Sequence, residues 1–375
     1  MNIVHIVRDE KFVNVALDAF EQFGKNHCNE FYIIADKDVN LFFLNKERVR
    51  VISADDIVAY SNTYADVVIM HTLHALPIKY FNLFSSRIRL VWLSVGYDLY
   101  YWPHKQCPFI NLKLYHKETS KLLWNGWKNY ITELRSLLYY LRNEKKMYED
   151  AISRVDFFSS VIPEEYLMIK KNSFFRASYL EFMYGFIRKD DIKKNNEMNS
   201  SNILIGNSCD PSNNHIDVLK KLYKMRLNDI HIYMPISYGG TPSYKESVKK
   251  TGKRLFGDNI HYLDDFLSYD EYKNIVSSCG TFIFCHERQQ ALGNIYIGII
   301  NGAKVFMSDT SILYKHLVGK GFRIYSIQKE LNSEELNKKM LDLEIQNNHN
   351  LIIETRGTAH QKEVMDSFYK ALEKT

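Results

Sequence analysis

Five consecutive polar residues, HERQQ at 286–290, interrupt an otherwise apolar stretch in the last third of the chain. The apolar run at 281–285 predicts a strand, and the spacing at 294–300 predicts a helix that ends at Asn301-Gly302. In a parallel sheet, the turn between them lies at the carboxyl end of the strand, where a helix N-terminus offers free N–H groups to an anion. This turn therefore predicts a nucleotide diphosphate site. The alternative is an ordinary solvated loop.

A second loop of the same kind lies upstream. Residues 206–215 read GNSCDPSNNH after an apolar run, and such small polar residues leave backbone N–H groups open to a ligand before the helix predicted at 216–225. The spacing is neither GxGxxG nor a P-loop, so the motif alone does not identify the ligand. A turn at 236–242, with Tyr238 and two glycines, is long enough to close over a bound nucleotide.

The order of predicted elements indicates a doubly wound α/β fold. Strands predicted at 2–7 and 30–35 flank a helix predicted at 14–23, and the alternation resumes after a polar segment at 187–202 that lacks apolar periodicity. A length of 375 residues also favours more than one domain.

We therefore predict two Rossmann-like domains. The predicted ranges are 1–186 for an N-terminal domain with a helical insertion at about 103–150, 187–202 for a linker, 203–358 for a C-terminal nucleotide-binding domain and 359–375 for a closing helix.

Composition excludes several classes of protein. Five cysteines without CxxC spacing predict reduced thiols in a cytosolic protein. The N-terminus runs directly into a strand without signal-peptide features, and no run of 18 apolar residues predicts a membrane span. Asp36-Lys37-Asp38 has the DxD form of some metal-dependent transferases, but acidic turns at strand ends are common. We expect neither a metal nor another cofactor.

The segment at 103–146 is basic and aromatic, with nine Lys and Arg against three Glu, an excess of six. Basic and aromatic residues on a helical segment are typical of an element that lies on an anionic membrane surface. The alternative is a helix packed on its domain with a solvated basic face. Nucleic-acid binding is less favoured because no recognition module accompanies the segment.

Both polar loops match a known family pattern. In the C-terminal half the matching residues are Gly206, Asn207, Ser208, Asp210, Ser212, Asn213, His215, Ile216, Pro235, Tyr238, Arg288, Gln289, Gln290, Gly293 and Gly302. In the N-terminal half they are His71, Trp92, Gly96, Asp98, Leu99 and Tyr100. This pattern resembles the bacterial TDP-4-acetamido-4,6-dideoxygalactose:lipid II transferases, or 4-α-L-fucosyltransferases, which add the third sugar of enterobacterial common antigen. Cys209 stands where we expect a glycine, and Ala291-Leu292 replace a Gly-Ile pair.

The resemblance implies a GT-B enzyme, in which two Rossmann-like domains face each other across a cleft and the C-terminal one holds the nucleotide sugar. Such folds stabilise the leaving diphosphate with helix dipoles and side-chain donors in place of a metal. We expect Arg288 to bind phosphate, and the turn at 263–266 to meet the base. The predicted donor-binding residues are Gly206, Asn207, Ser208, Asn213, His215, Tyr238, Phe266, Arg288, Gln289, Gln290, Gly293 and Asn294.

An inverting transfer needs a general base near the acceptor hydroxyl, whereas a retaining one does not require it. Asp98 is the first candidate, because it follows a predicted strand and matches the family. His71 is the second. The structural alternatives are that Asp98 caps a turn and that His71 is a buried histidine with satisfied hydrogen bonds.

These inferences predict a transferase that moves a deoxyamino sugar, similar to 4-acetamido-4,6-dideoxygalactose (Fuc4NAc), from dTDP or UDP to a polyprenyl-diphosphate-linked glycan. We expect it in the cytoplasm, peripheral to the inner face of the cell membrane, in the synthesis of a surface polysaccharide. The alternatives are a nucleotide-sugar epimerase of the same fold and a noncatalytic nucleotide-binding subunit.

Overall fold

The computed structural model describes residues 1–10, 12–36, 40–100, 112–124, 127–188, 192, 199–265, 267 and 269–374. Lys37, Asp38 and Phe266, which were singled out above, lie outside these residues.

Within the described residues, the strands form two parallel sheets. The first sheet contains β1 (Asn2–Val7), β2 (Cys28–Ile34), β3 (Arg50–Ile52), β4 (Val67–Met70), β5 (Arg89–Leu93), β6 (Phe157–Ser159) and β7 (Ser178–Tyr179). The second contains β8 (Asn199–Ile205), β9 (His231–Pro235), β10 (Ile260–Leu263), β11 (Cys279–Phe284), β12 (Lys304–Met307) and β13 (Tyr325–Ser326).

Helices connect and cover these strands. In chain order they are α1 (Val13–Phe23), α2 (Ala54–Tyr64), α3 (Tyr97–Tyr100), α4 (Lys117–Leu123), α5 (Trp127–Tyr139), α6 (Lys145–Ser153), α7 (Pro163–Ile169), α8 (His215–Lys224), α9 (Pro242–Phe256), α10 (Tyr269–Ser277), α11 (Leu292–Ile300), α12 (Ile312–Gly319), α13 (Ser333–Asn337), α14 (Asp342–Arg356) and α15 (Thr358–Glu373). A π-helical turn, Tyr140–Glu144, joins α5 to α6.

Both sheets are doubly wound. The strand orders are β3-β2-β1-β4-β5-β6-β7 and β10-β9-β8-β11-β12-β13, so the winding reverses between β1 and β4 and again between β8 and β11. Their central strands are apolar runs such as VVIM in β4, which is buried along its whole length, as expected for parallel sheets covered on both faces. The predicted α/β fold is confirmed.

The chain divides into two compact units. The first consists of Met1–Asn111, Glu133–Ile187 and Arg356–Thr375, and the second of Leu112–Thr132 and Arg188–Thr355. This division differs from the predicted ranges in two places. Part of the helical insertion belongs to the second unit, and the last helix belongs to the first.

Apolar packing explains both differences. Helix α15 places Met365, Phe368 and Leu372 in the same core cluster as Phe20 of α1, because residues three and four apart share one helix face. Leu122 and Leu123, at the end of α4, pack against the core of the second unit.

Candidate functional site

The two predicted polar loops lie together in the second unit. They follow β8 and β11, which are neighbours in the sheet on either side of the point where the winding reverses. Ligands of doubly wound sheets bind at such a point, outside the carboxyl ends of the strands. The Gly206 N–H donates to the Ile283 carbonyl at 3.0 Å, which fixes the start of the first loop against β11.

Gly206 has φ of +70°, and a Cβ at this position would lie 3.1 Å from both Asn213 Oδ1 and His215 Nε2. Both side chains are fully buried. Asn213 Nδ2 donates to the Ser208 carbonyl (3.0 Å), and Asn213 Oδ1 has no hydrogen-bond partner among the described residues. A glycine is therefore required where the first loop leaves the sheet.

His215 is held as a neutral ring. Its Nδ1 lies 3.2 Å from Tyr244 Oη, and burial lowers its pKa to about 4. At neutral pH it can contribute one donor and one acceptor but no positive charge.

Side-chain hydrogen bonds join the two loops. Gln290 Nε2 donates to Asn207 Oδ1 (2.9 Å), and Gln290 Oε1 lies 2.6 Å from the Ser212 hydroxyl. Asp210 Oδ1 also accepts from the Ser212 N–H at 2.9 Å. The two loops thus form one braced surface, as ligand sites require for preorganisation.

The turn that carries Tyr238 is attached to the first loop. The Cys209 N–H donates to the Tyr238 carbonyl (2.7 Å), and Asn207 Nδ2 lies 3.4 Å from Tyr238 Oη. Tyr238 is nevertheless 38% exposed. It therefore offers an aromatic face beside the loops, and π faces of this kind stack on bases or sugars.

Arg288 is the residue of the second loop best suited to bind phosphate. It is only 8% exposed, and Nη1 donates to the Gln289 carbonyl at 3.1 Å. The Arg288 carbonyl in turn accepts from Nδ1 of His286 (2.9 Å). Burial lowers the pKa of His286 to about 3, so the positive charge in this part of the loop comes from the guanidinium.

The second loop ends at the N-terminus of α11. Ala291 precedes the helix with φ of +61°, and the space where a Cβ would project from Gly293 is open. Asn294 Nδ2 donates to Tyr272 Oη of α10 (2.8 Å), so its amide is already used for packing. The free N–H groups of the first turn provide partial positive charge beside Arg288.

Asn214 was not among the predicted site residues, although it connects three segments. It adopts φ of +53°, and its Nδ2 lies 2.6 Å from the Cys285 carbonyl and 3.1 Å from that of Leu114. Its Oδ1 accepts the His116 N–H at 2.7 Å. The sequence offered one signal, since Asn is the non-glycine residue that most readily adopts left-handed geometry.

His116 and Glu287 form a partly buried ion pair next to the second loop. His116 Nε2 lies 2.6 Å from Glu287 Oε1, and Nδ1 lies 3.6 Å from Cys285 Sγ. Burial opposes the charged ring, but Cys285 and Glu287 raise the pKa of His116 to about 10. Burial likewise opposes the carboxylate, but bonds from His116 and Ser308 lower the pKa of Glu287. The His116 ring and the Glu287 carboxylate are therefore both charged at neutral pH.

The segment that carries His116 is attached to α8. Asp217 accepts the backbone N–H groups of Glu118 and Thr119, both at 2.9 Å, and so caps α4. Lys220 of α8 pairs with Glu118. We call residues 112–124 the docked segment. Sequence reasoning missed its attachment because all of these partners lie about 100 residues further along the chain.

Asp98 is fully buried in the first unit and accepts four hydrogen bonds. Oδ2 accepts from the Leu73 N–H (2.9 Å) and Trp92 Nε1 (2.8 Å), and Oδ1 accepts from Ser94 Oγ (2.9 Å) and the Val95 N–H (3.1 Å). This geometry favours the structural alternative, in which the carboxylate positions two loops. Its catalytic assignment stays a prediction.

His71 is also fully buried. Its Nε2 lies 3.1 Å from His5 Nδ1, and its Nδ1 lies 3.1 Å from Tyr184 Oη. His5 Nε2 donates to Asn29 Oδ1 (3.0 Å), so its Nδ1 must accept from His71, and His71 Nδ1 then accepts from the tyrosine. Both ring nitrogens of His71 are used within the fold, which again favours the structural alternative.

Residues 157–355 match a family described as 4-alpha-L-fucosyltransferase, glycosyl transferase group 56. Among solved structures, the chain is similar to a glycosyltransferase from Rickettsia africae, with a TM-score of 0.62, 13% identity and coverage of 100% of this chain and 99% of that one. It is also similar to a UDP-forming trehalose-phosphate synthase from Burkholderia xenovorans (TM-score 0.65, 9% identity, 100% and 98% covered). HepE of Anabaena, solved with UDP and glucose, gives a TM-score of 0.57 at 11% identity, with 100% and 95% covered. The fold is that of GT-B glycosyltransferases.

Proposed function

Because the chain belongs to the 4-alpha-L-fucosyltransferase family, glycosyl transferase group 56, we propose that it transfers a deoxyamino sugar similar to Fuc4NAc from dTDP or UDP to a polyprenyl-diphosphate-linked glycan. The protein is a glycosyltransferase. The product serves the synthesis of a bacterial surface polysaccharide, such as an O-antigen or enterobacterial common antigen.

The observation that carries the proposal is the braced surface formed by the two polar loops. It combines the guanidinium of Arg288, the amide of Gln290 and the N-terminus of α11 at the reversal point of a parallel sheet. A diphosphate carries its charge on oxygens that match such donors. We propose that the donor diphosphate lies here and that Tyr238 contacts the rest of the nucleotide.

We further propose that the transfer needs no metal. Negative charge develops on the diphosphate as the sugar leaves, and fixed donors directed at that charge stabilise the transition state. Arg288 and the first turn of α11 supply such donors. The ion pair of His116 and Glu287 keeps the second loop in place without adding net charge.

Helix α5 and the π-helical turn that follows it support a membrane-bound acceptor. Ile131, Leu134, Leu138 and Leu141 recur at intervals of three or four residues and are 40–47% exposed. Arg135 and Arg142 directly follow two of them and are exposed as well. An exposed apolar stripe with basic residues at its edge fits an anionic bilayer surface. No described helix has the length and apolar character to cross a bilayer.

A transfer assay tests this function. The purified protein is incubated with radiolabelled dTDP-Fuc4NAc or UDP-linked amino sugar, with and without a polyprenyl-diphosphate disaccharide, and in the presence or absence of EDTA. We expect label in the lipid fraction only when the acceptor is present, at the same rate with chelator. The measured specificity then identifies the nucleotide.

Other outcomes separate the alternatives. Isomerisation of the donor without acceptor would indicate the epimerase, and donor binding without turnover would indicate the noncatalytic subunit. Either result contradicts the proposed function. Transfer that stops when EDTA is added contradicts only the proposal that the transfer needs no metal.

A further inference from the structure

The first unit contains a cavity of about 500 Å³. It lies beside the ends of β1 and β4, where the winding of the first sheet reverses. The same rule that places a ligand on the second sheet therefore predicts one here. Its lining includes Arg8, Ile33, Leu73, His74, Leu76 and Tyr148.

This lining combines an apolar wall with two nitrogen-rich side chains. Arg8 is exposed and His74 is partly buried, and the ring nitrogens of His74 make no hydrogen bond to any described residue. In this respect His74 differs from its neighbour His71, whose two nitrogens are used inside the fold. His74 is thus the histidine of this loop that can meet a ligand.

The backbone that presents His74 is strained. Thr72 has φ of +124°, a region that β-branched residues almost never adopt. The Thr72 hydroxyl accepts the His74 N–H (3.4 Å) and donates to Tyr97 Oη (3.3 Å). Such strain persists only where the surroundings impose it.

Neighbouring groups impose it here. Asp98 holds the Leu73 N–H at 2.9 Å, and the ring of Tyr97 stacks on His74 with centroids 5.8 Å apart and planes 14° from parallel. Asp98 and Tyr97 therefore hold the strained residue and the two residues that follow it. This gives Asp98 a definite task, which is to position His74.

Three influences set the charge of His74. Burial lowers its pKa, the Asp98 carboxylate raises it, and the Arg8 guanidinium lowers it, with a net decrease. Among the described residues, the phenol of Tyr97 stacks on the ring, and the carboxylate of Asp9 and the phenol of Tyr148 line the same cavity. The ring is therefore neutral at neutral pH and able to accept a proton.

We propose that His74 is the general base of the transfer and that the cavity beside it binds the sugar of the acceptor. The inference rests on the proposed function. In the step, an acceptor hydroxyl oxygen forms the new bond to the anomeric carbon as its proton passes to a ring nitrogen of His74. The bond from that carbon to the phosphate oxygen breaks, and its electron pair leaves with the nucleoside diphosphate. A single displacement of this kind inverts the anomeric configuration.

The test compares His74→Gln with His360→Gln, a change at a partly exposed histidine on α15. For His74→Gln we expect kcat to fall by about 10²–10⁴-fold with donor affinity and Tm unchanged, and His360→Gln to behave as wild type. The wild-type kcat/KM should decrease on the acid side as His74 becomes protonated, and this limb should be absent in His74→Gln. Imidazole should restore part of the activity of His74→Ala.

The possible failures can be told apart. Transfer by His74→Gln within threefold of wild type, or a product that retains the anomeric configuration, overturns this inference and leaves the proposed function intact. If His74→Gln loses activity and also binds the donor more weakly or has a lower Tm, His74 only supports the fold. That result also overturns this inference. If wild type transfers no sugar to any lipid-linked acceptor, the proposed function fails, and this inference fails with it.

Discussion

At the residue scale, Gly206 shows how closely the donor loops depend on single side chains. Gly206 directly follows β8 and has a positive φ, and Asn213 and His215 occupy the space that a side chain would need. Any larger residue would displace the two buried groups that shape the first loop.

We therefore predict that Gly206→Ala weakens nucleotide binding by at least tenfold and lowers the stability of the second unit by about 1–3 kcal/mol, because strain and overpacking add. Gly319→Ala is the matched control, since a Cβ there meets open space. Calorimetric titration and thermal unfolding measure both effects. Equal affinity in the two variants would show that the first loop does not contact the donor.

Some residues of the site could be predicted from the sequence, and others could not. Arg288 and Gln290 stand out as polar residues between apolar elements, and the structure places them in one surface with Asn207. Asn214 and His116 do not stand out, because their roles depend on partners that only the folded chain supplies. Asp98 and His71 were recognised by position, but the hydrogen bonds that occupy them have no sequence signal.

At the scale of elements, α5 and the π-helical turn that follows it combine exposed leucines with exposed arginines. We predict that Leu134→Ser with Leu138→Ser, or Arg135→Gln with Arg142→Gln, weakens binding to vesicles of phosphatidylglycerol at physiological salt. Each basic residue near such a surface contributes about 1 kcal/mol, so removal of both arginine charges should weaken binding by roughly 30-fold.

Lys121→Gln is the control for this experiment, because Lys121 lies on α4 and pairs with Glu118 of the same helix. Sedimentation with vesicles measures all variants. The sequence alone predicted one membrane-binding segment at residues 103–146, whereas in the structure the docked segment is attached to α8. Full binding by the leucine and arginine variants would contradict a membrane role for this helix.

Elements with continuous apolar runs were predicted well, and polar ones were not. The strand predicted at 2–7 is β1, and the elements predicted at 281–285 and 294–300 overlap β11 and α11. Helix α9 was missed although Thr241 caps it and Pro242 opens it. Its lysine-rich sequence hides the apolar stripe, since only Tyr244, Val248 and Gly252 are buried.

At the scale of the whole molecule, stability depends on pH because four histidines of the described residues are fully buried. Burial lowers the pKa of His5, His71, His215 and His286. The unfolded chain binds a proton at each of them near the ordinary pKa of about 6.5, whereas the folded chain does not. The free energy of unfolding therefore increases as the pH rises to about 6.5 and decreases as the pH is lowered from that value.

We predict that Tm decreases steadily from pH 7 to pH 5, with each buried histidine contributing about 1.4 kcal/mol per pH unit below its unfolded pKa. The pKa of His116 is shifted in the opposite direction, to about 10. Its contribution to stability is therefore fully present below the unfolded pKa of about 6.5 and is lost as the pH rises from there toward 10. Differential scanning calorimetry measures the trend, and His360→Gln should not change it. A Tm that is constant or increases toward pH 5 would contradict the neutral buried histidines.

The sequence indicated two α/β units but not the path of the chain between them. Sequence order assigned residues 103–150 to the first unit and left 359–375 as a separate closing helix. Packing overrides sequence order in both cases, since Leu122 packs against the core of the second unit and Phe368 lies in the core of the first.

The measurement that tests the central claim most directly is calorimetric titration of wild type and Arg288→Gln with dTDP, UDP, GDP and CMP, with and without EDTA. Arg254→Gln, an exposed change on α9, is the control. We expect one preferred nucleotide, unaffected by chelator, whose affinity falls by about 10–100-fold in Arg288→Gln, because a charge-assisted bond contributes about 1.5–3 kcal/mol. If wild type binds none of the nucleotides, or if Arg288→Gln binds as well as wild type, the two polar loops are not the donor site.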